Sequence, residues 1–548
     1  MSHAERAETA QGCASNSIEA LKASVGGDGL RVLEELPEII QRGAAALTPA
    51  EKELLKWVGV FYRKPTPGKF MMRVRLPNGF VRSEQLYAIA ELSERLGNGV
   101  LDITTRQQIE LRGFLLDSVP AIWEKLRGVD LRSLQTGIDN VRNINGCPLA
   151  GLTPHELLDA SEVVHDLDRI LVGEKGNPEF TNLPRKLNIT VTGCLDNCTH
   201  NESQDIALVP AKKGERRGFN VLVGGKMGSG GFTVASHLNV FVEVYQAAAV
   251  VVELVKIFRD HGPREARSKC RFAFLVEKWG LPRLRAELTE RMGYELALRG
   301  RDMRSFRHAD HLGLTSQKQA GLVAVGLCVP TGRLSPEEMR ELARLAEVYG
   351  HGEVRLTTGQ NALIPYVPAK RVAQLQKEPL LDKFSPQPPA ALRGMVACVG
   401  TDYCNLALIE TKSRAVEISH ALNERMGANL KPLTIHWSGC PAGCGNHEAA
   451  DVGLRGLKTK IDGKLTEAVA VYVGGRTGAF ARPGEEIMSA VPCDEALPEV
   501  IAGVIGSLQT ERREEPAYAN DPYFTAAATA GLAKWQPLGF ASQPGAGA

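Results

Sequence analysis

The sequence carries no excess of either charge. Lys and Arg number 65 against 63 Asp and Glu, a formal net charge of +2, which excludes a general nucleic-acid or membrane-surface binder and leaves any charged partner to a local patch. It also lacks a long apolar run. A membrane span needs roughly 18 apolar residues, and the longest candidate, Ala247 to Val252, stops at Glu253. The amino terminus bears His3, Glu5, Arg6 and Glu8 and no apolar core of a secretory signal, so the expected location is cytoplasmic. No complete G-x-G-x-x-G opens a strand-helix-strand unit and no G-x-x-x-x-G-K-[ST] occurs, so neither a dinucleotide domain nor a P-loop is supported. Cysteine is scarce as well. Eleven in 548 residues is an odd, thinly spread set that reads as reduced thiols with some used as ligands, not as a disulfide framework.

What is present is ordinary globular material, 43% hydrophobic and 23% charged, long enough for about three or four domains. A weak repeat runs through it at an offset of about 250 residues. Pro77-Asn78-Gly79 matches Pro330-Thr331-Gly332, and Thr104-Thr105-Arg106-Gln107 matches Thr357-Thr358-Gly359-Gln360. Gly193-Cys194-x3-Cys198 with Glu202 and Asp205 echoes Gly439-Cys440-x3-Cys444 with Glu448 and Asp451, and Val223-Gly224-Gly225 echoes Val473-Gly474-Gly475. Matches in the same order imply duplication. Each half opens alike: a strand over Met71 to Leu76, a turn, then a helix from about Ser83 to Leu96 stopped by Gly97. Its counterpart is a helix opened by the capping box Ser335-x-x-Glu338 and ended at Gly350. Alternating strands follow at Leu101/Ile103 and Ile109/Leu111, giving an α+β unit used twice.

Chemistry concentrates in Cys398-x5-Cys404 and Cys440-x3-Cys444. Two close pairs from separate loops suit a soft-ligand site, either an iron-sulfur cluster or zinc, with buried free thiols as the bland alternative. The x5 spacing is long for zinc, whereas in a cluster each cysteine binds a different iron. Gly394, Gly400, Gly439, Gly443 and Gly445 are expected to let the backbone close on a large cofactor. Cys194-x3-Cys198 with His200 admits a second metal site, but no further cysteine pair is left to complete four thiolates, and the duplication already accounts for the pattern. Cys13, Cys147, Cys270, Cys328 and Cys493 show no pairing logic and read as unliganded thiols.

Ala397-Cys398-x5-Cys404 and His436-Trp437-Ser438-Gly439-Cys440-Pro441-x2-Cys444 resemble the signature of the sirohaem and 4Fe-4S nitrite and sulfite reductases. Phe70-Met71-Met72-Arg73, Thr104-Thr105-Arg106-Gln107, Asn140-Val141-Arg142-Asn143, Pro148-Leu149-Ala150-Gly151 and Leu183-Pro184-Arg185-Lys186-Leu187-Asn188 resemble the ferredoxin-dependent assimilatory nitrite reductases within it. The resemblance covers roughly residues 55 to 515.

It implies a pseudo-twofold α+β fold, in which two paired ferredoxin-like half-domains (56–128 and 313–380) accompany two larger α/β cofactor-binding domains (129–298 and 381–515). A helical extension at 1–55, a basic linker at 299–312 and a loose tail at 516–548 complete the expected organisation. The linker, with Arg299, Arg301, Arg304 and Arg307, reads as a solvated connection, or alternatively as a docking patch for an acidic protein.

By the same resemblance Cys398, Cys404, Cys440 and Cys444 hold a 4Fe-4S cluster, and Cys444 also ligates sirohaem. Arg73, Arg142 and Lys186 match the basic residues that face the substrate, and Arg106, with Arg267 and Lys269 as weaker candidates, meets sirohaem carboxylates. Asn188 stands where sulfite reductases carry Lys, which suits a monoanion better than a dianion and favours nitrite. The expected activity is therefore reduction of nitrite to ammonium in nitrate assimilation by a monomer fed by reduced ferredoxin or flavodoxin. Sulfite reduction to sulfide is the alternative, and a non-catalytic metal-binding scaffold the remote one.

Overall fold

A sheet with one solvated face must still cover its edges, and the two ferredoxin-like units do this by lending each other a strand. The computed structural model describes residues 16–228, 231–305, 309–461, 463–478 and 481–514; Cys13, Arg307 and the expected tail at 516–548 lie outside them. In the first unit the strand order is Val60–Tyr62, Phe70–Val74, Ile109–Phe114 and Leu101–Ile103, followed by Arg333–Leu334 from the second half. The second runs Gly313–Ser316, Leu322–Leu327, Ala362–Pro368 and Glu353–Leu356, closed by Phe80–Arg82 from the first half. Arg333 lies opposite Asp102, and Phe80 opposite Arg355.

The expected helices form at Ser83–Arg95 and Pro336–Tyr349, and the Ser335/Glu338 capping box is present. They lie against each other, with Ser83 Oγ donating to the Ala343 carbonyl at 3.0 Å. One apolar core, including Val74, Ile89, Leu111, Val325, Leu342 and Ile364, runs through both units. Helices Ser17–Ser24, Val32–Arg42 and Pro49–Leu54 precede them, and Leu36 and Ile39 join that same core.

Each larger domain has its own core and its own sheet. In the first, Ile189–Val191 runs parallel to Ile206–Lys213, which continues antiparallel into Arg216–Val223 and Ser236–Glu243. In the second, Met395–Ala397, Ile435–Ser438 and Val452–Ile461 are parallel neighbours, and Lys464–Val473 and Glu485–Pro492 follow antiparallel. Helices Val244–His261 and Phe272–Met292 cover one sheet, and Lys412–Met426 and Leu497–Glu514 the other. The α+β class and the duplication are as the sequence implied.

The basic stretch at 299–312 is mixed along its described length, with Arg299 and Arg301 exposed and Arg304 tucked in. Arg301–Asp302 adds a short strand to the edge of Ile206–Lys213. Arg304, only 10% exposed, is held by Asp302 and Glu202. Its charge is spent inside the protein. Among the described residues no helix is long and apolar enough to cross a membrane.

Candidate functional site

The repeated motifs are where the halves grip each other. Gln107 Nε2 donates to the Leu356 carbonyl at 2.9 Å and Gln360 Nε2 to the Ile103 carbonyl at 3.1 Å. Thr105 Oγ1 reaches the Cys444 carbonyl at 3.4 Å, and Thr358 Oγ1 the Cys198 carbonyl at 3.0 Å. Matching residues even share a left-handed backbone: φ is 58° at Asn78 and 50° at Thr331, 56° at Gln107 and 65° at Gln360. The copies differ at one informative place. Arg106 in the first motif corresponds to Gly359 in the second, so only the side that meets Cys444 carries a cation.

Cysteine-bearing loops leave the second large sheet side by side because their strands are parallel, which puts both carboxyl ends on one edge. Ala397 faces Trp437, so Cys398 and the Gly439-Cys440 turn emerge together. The Cys398 N–H bonds the Trp437 carbonyl at 3.1 Å, and the Gly439 N–H points at Cys398 Sγ at 3.1 Å. Leu406 N–H does the same for Cys404 Sγ at 3.4 Å. Cys444 is exposed, Cys440 is buried and the other two are intermediate. Burial pushes the Cys398 thiol up to about 12 and Cys440 up to about 11, so metal binding must displace protons there. The flanking glycines have a different cause from the expected one. A Cβ on Gly445 would sit 1.9 Å from the Trp437 carbonyl, one on Gly394 1.8 Å from the Leu433 carbonyl, and one on Gly443 2.8 Å from Gly228 Cα. These three serve chain against chain, while Gly439 and Gly400 turn N–H groups to the Cys398 sulfur.

Facing Cys444 is a pocket of cations. Arg106 Nε donates to Asn188 Oδ1 at 3.0 Å, an amide and not a carboxylate. Arg142 Nη1 donates to the Thr136 carbonyl at 2.6 Å. Arg73 is the one with an ion pair, to Glu110 at 2.7 Å, and its guanidinium also lies 5.0 Å from the Phe61 ring centre. Among the described residues Lys186 meets no acceptor. Burial, then Arg106 and Arg271, push the Lys186 ammonium well down, against the pull of Cys444. Burial, then Arg73, Arg106 and Arg185, do the same to Arg142. Such mutual repulsion in a buried site is the mark of a place built for an anion.

Family models identify this architecture. The nitrite and sulphite reductase 4Fe-4S domain matches residues 137–296 and 390–519. The nitrite/sulfite reductase ferredoxin-like half domain matches residues 62–129 and 315–381. The chain belongs to the nitrite and sulphite reductase family. Relatives in this family include a ferredoxin–nitrite reductase of Synechococcus elongatus, 44% identical over 89% of this chain and 95% of that one. A chloroplastic ferredoxin–nitrite reductase of Spinacia oleracea is 40% identical over 84% and 79%. The solved NirA protein of Mycobacterium tuberculosis superposes with a TM-score of 0.82 at 26% identity, covering 89% of this chain and 93% of that one.

An iron-sulfur cofactor belongs to this family's domain, and the four thiols fit it: each lies within electrostatic reach of others of the set, none is disulfide-bonded, and backbone N–H groups already point at two of the sulfurs. The pocket also suits a polycarboxylate macrocycle. Arg271 Nη1 and Arg185 Nε are buried without a partner, beside the uncompensated Lys186. Arg267 is less available, because Asp139 spans its guanidinium. Lys269 lies exposed on a short turn, with no contact to the pocket among the described residues.

The sequence shows Asp205 only as a repeated residue, without a role. Its buried carboxylate takes both Arg271 Nε and Nη2, at 3.0 and 2.7 Å, and also the Asn188 N–H at 2.8 Å. Asp451 repeats the pattern on the Thr434 N–H at 2.8 Å. The spacing of seventeen residues in both halves was the available signal.

His447, close to the Cys444 turn, packs edge-on against Tyr472 and shares 2.9 Å with Ser438 Oγ. Burial, then Arg455, hold it down to about 4. Because the folded value is below the unfolded one near 6.5, the unfolded chain takes the proton first, so stability is full above about pH 6.5 and falls toward pH 4. About 2 kcal/mol should be lost between pH 7.5 and 5. Urea unfolding of wild type and H447Q at the two pH values measures it, the loss shrinking in the variant.

Proposed function

We propose that this chain is a ferredoxin-dependent nitrite reductase, reducing nitrite to ammonium with six electrons and eight protons and releasing two waters. The observation that carries the reading is the Arg73, Arg106, Arg142 and Lys186 pocket opening on Cys444, a small-anion site set against a cluster ligand. The names borne by its relatives point the same way. Cys398, Cys404, Cys440 and Cys444 would hold the 4Fe-4S cluster, and Cys444 together with the free guanidinium nitrogens of Arg271 and Arg185 would hold sirohaem. Bound there, the two groups supply an electron store and an iron at which nitrite is reduced.

The side chains do the rest. Lys186 and Arg142 hold the anion against their own repulsion, and Arg73 is kept in place by Glu110 and the Thr136 carbonyl at 3.0 Å. Anion binding offsets the repulsion and burial that lower Lys186 and so favours its ammonium, a group placed to give a proton as an N–O bond breaks. Asn188 acts through its neighbour: its oxygen aims Arg106, and a lysine there would place a cation on a cation. That favours nitrite over sulfite.

The electron donor would be reduced ferredoxin, the compartment the cytoplasm and the working form a monomer. The loop carrying Cys404 rests on the turn of the first half-domain, where the Lys64 N–H donates to Asn405 Oδ1 at 2.8 Å. Lys64, Lys69 and the 66%-exposed Leu406 give that face an apolar spot with a basic rim, suited to an acidic protein. K64E/K69E should lower kcat/KM for ferredoxin about tenfold and leave dye-driven turnover intact. Equal loss with both donors refutes the docking face. The activity itself is tested by turnover of cofactor-loaded protein with reduced viologen on nitrite and sulfite at matched concentrations. Higher kcat/KM for nitrite with ammonium as product supports the reading; preference for sulfite overturns it.

A further inference from the structure

Of the buried cysteines that the site above leaves unused, Cys147, Cys194 and Cys198 lie together, and strand register explains where they come from. In the second half Val396 faces His436, Cys398 lies two residues beyond the one and Cys440 four beyond the other. In the first half Asn145 faces Thr190 in a parallel bridge, and the same steps reach Cys147 and Cys194. Cys147, Cys194 and Cys198 are therefore the pseudo-twofold mates of Cys398, Cys440 and Cys444. Cys147, which showed no partner in the sequence, is the missing third thiol.

The counterpart of Cys404 is absent, and His311 takes its place from the segment joining the halves. Cys147 Sγ is 3.7 Å from His311 Nε2. The ligand atoms of Cys147, Cys198 and His311 all lie within 4.8 Å of one another, and Cys194, just outside that group, interacts through its thiol with both other sulfurs. All four side chains are buried, at 1%, 1%, 4% and 8% exposure for Cys147, Cys194, Cys198 and His311. With Zn–S near 2.3 Å and Zn–N near 2.0–2.1 Å, a tetrahedron has S···N edges of about 3.6 Å and S···S edges of about 3.8 Å. The Cys147–His311 edge already has that length, and Cys194 needs only to turn inward to complete the set. Leu149 N–H points at Cys147 Sγ and Asp196 N–H at Cys194 Sγ, both at 3.4 Å, the donors that a bound thiolate needs. Leu149, Leu152, Ala324 and Leu363 wall the group off from water. His200 is directed elsewhere, its Nδ1 3.1 Å from Thr477 Oγ1.

We propose that Cys147, Cys194, Cys198 and His311 form a closed, structural Zn(II) site. A cubane cluster spreads its thiolates over four irons and does not fit so tight a set. With no position left open for substrate, the metal would tie the first large domain, the segment between the halves and the second ferredoxin-like unit into one body, independently of the activity proposed above.

The experiment is metal analysis of purified holoenzyme, followed by zinc X-ray absorption. One zinc per chain, bound by three sulfurs and one nitrogen, is the expected result. C194S and H311A should lose zinc and keep their iron, whereas C404S should lose iron and keep zinc. Because the first two variants could fail to fold, the wild-type zinc content and its coordination stand as a separate measurement. Absence of stoichiometric zinc, iron in its place, a disulfide among these cysteines, or zinc retained in C194S/H311A would each overturn the site.

Discussion

Replacing Lys186 by Gln should cut kcat/KM for nitrite by about a hundred- to a thousandfold, the cost of one preorganised charge aimed at developing negative charge. Among the pocket cations this one has the most to lose. Arg73 is neutralised by Glu110, Arg142 rests on a carbonyl and Arg106 on an amide, while Lys186 meets no acceptor among the described residues. Its whole field is available to a bound anion. The fold does not depend on it, because no ion pair is broken by the change, so iron, acid-labile sulfide and circular dichroism should match wild type. K186R keeps the charge and should recover part of the rate. It should also hold that rate to higher pH, since a guanidinium does not titrate there, whereas a lysine pushed down by burial and by Arg106 loses its proton earlier than a free one. A loss below about fivefold with the same protein quality would place the substrate elsewhere.

How much of this could be read before folding depends on the range of the interactions. Short motifs announce themselves: the cysteine pairs, the capping box at Ser335 and the two Gln turns each state their job within a few residues. The strand exchange does not. Phe80–Arg82 looks like a turn followed by a helix start, and its partner Glu353–Leu356 lies in the other half. Cys147 was unreadable for the same reason, since its partners are fixed by register and not by spacing. Arginine content misled in the stretch after residue 298, where composition suggests solvent and the structure buries Arg304 between Asp302 and Glu202. Arg267 likewise shares the Asp139 carboxylate with Lys22 and Arg185, a pairing its sequence context does not announce. A count of charges cannot tell which are already paired.

D102N should destabilise the protein by about 3–5 kcal/mol, the cost of leaving buried charge without its partner. Asp102 is 1% exposed and gathers Arg112 at 2.6 Å, Arg333 at 3.1 Å and Lys412 at 3.2 Å. The first cation belongs to its own half and the other two to the opposite one. Arg333 is also its neighbour in the exchanged strand, so the same carboxylate that neutralises the interior pins the two half-domains together. Burial opposes the charge, but Lys412, Arg112 and Arg333 overcome it and hold Asp102 well below the usual carboxylate range. Glu110 is likewise held down to about 2, burial being outweighed by Arg112 and Arg73. A depressed carboxylate contributes stability that is present above its unfolded value near 4 and lost only as pH falls through the folded one. These carboxylates therefore stay ionised through the pH 5–7 interval in which His447 weakens the fold, and D102N should shift the urea midpoint equally at both ends of it. The chain of pairs runs from Lys412 through Asp102, Arg112 and Glu110 to Arg73. Loosening it at Asp102 should therefore also lower kcat/KM for nitrite while iron content holds. A variant that unfolds at the wild-type urea concentration would show that Arg112, Arg333 and Lys412 find other partners, and that the halves are held by their shared core alone.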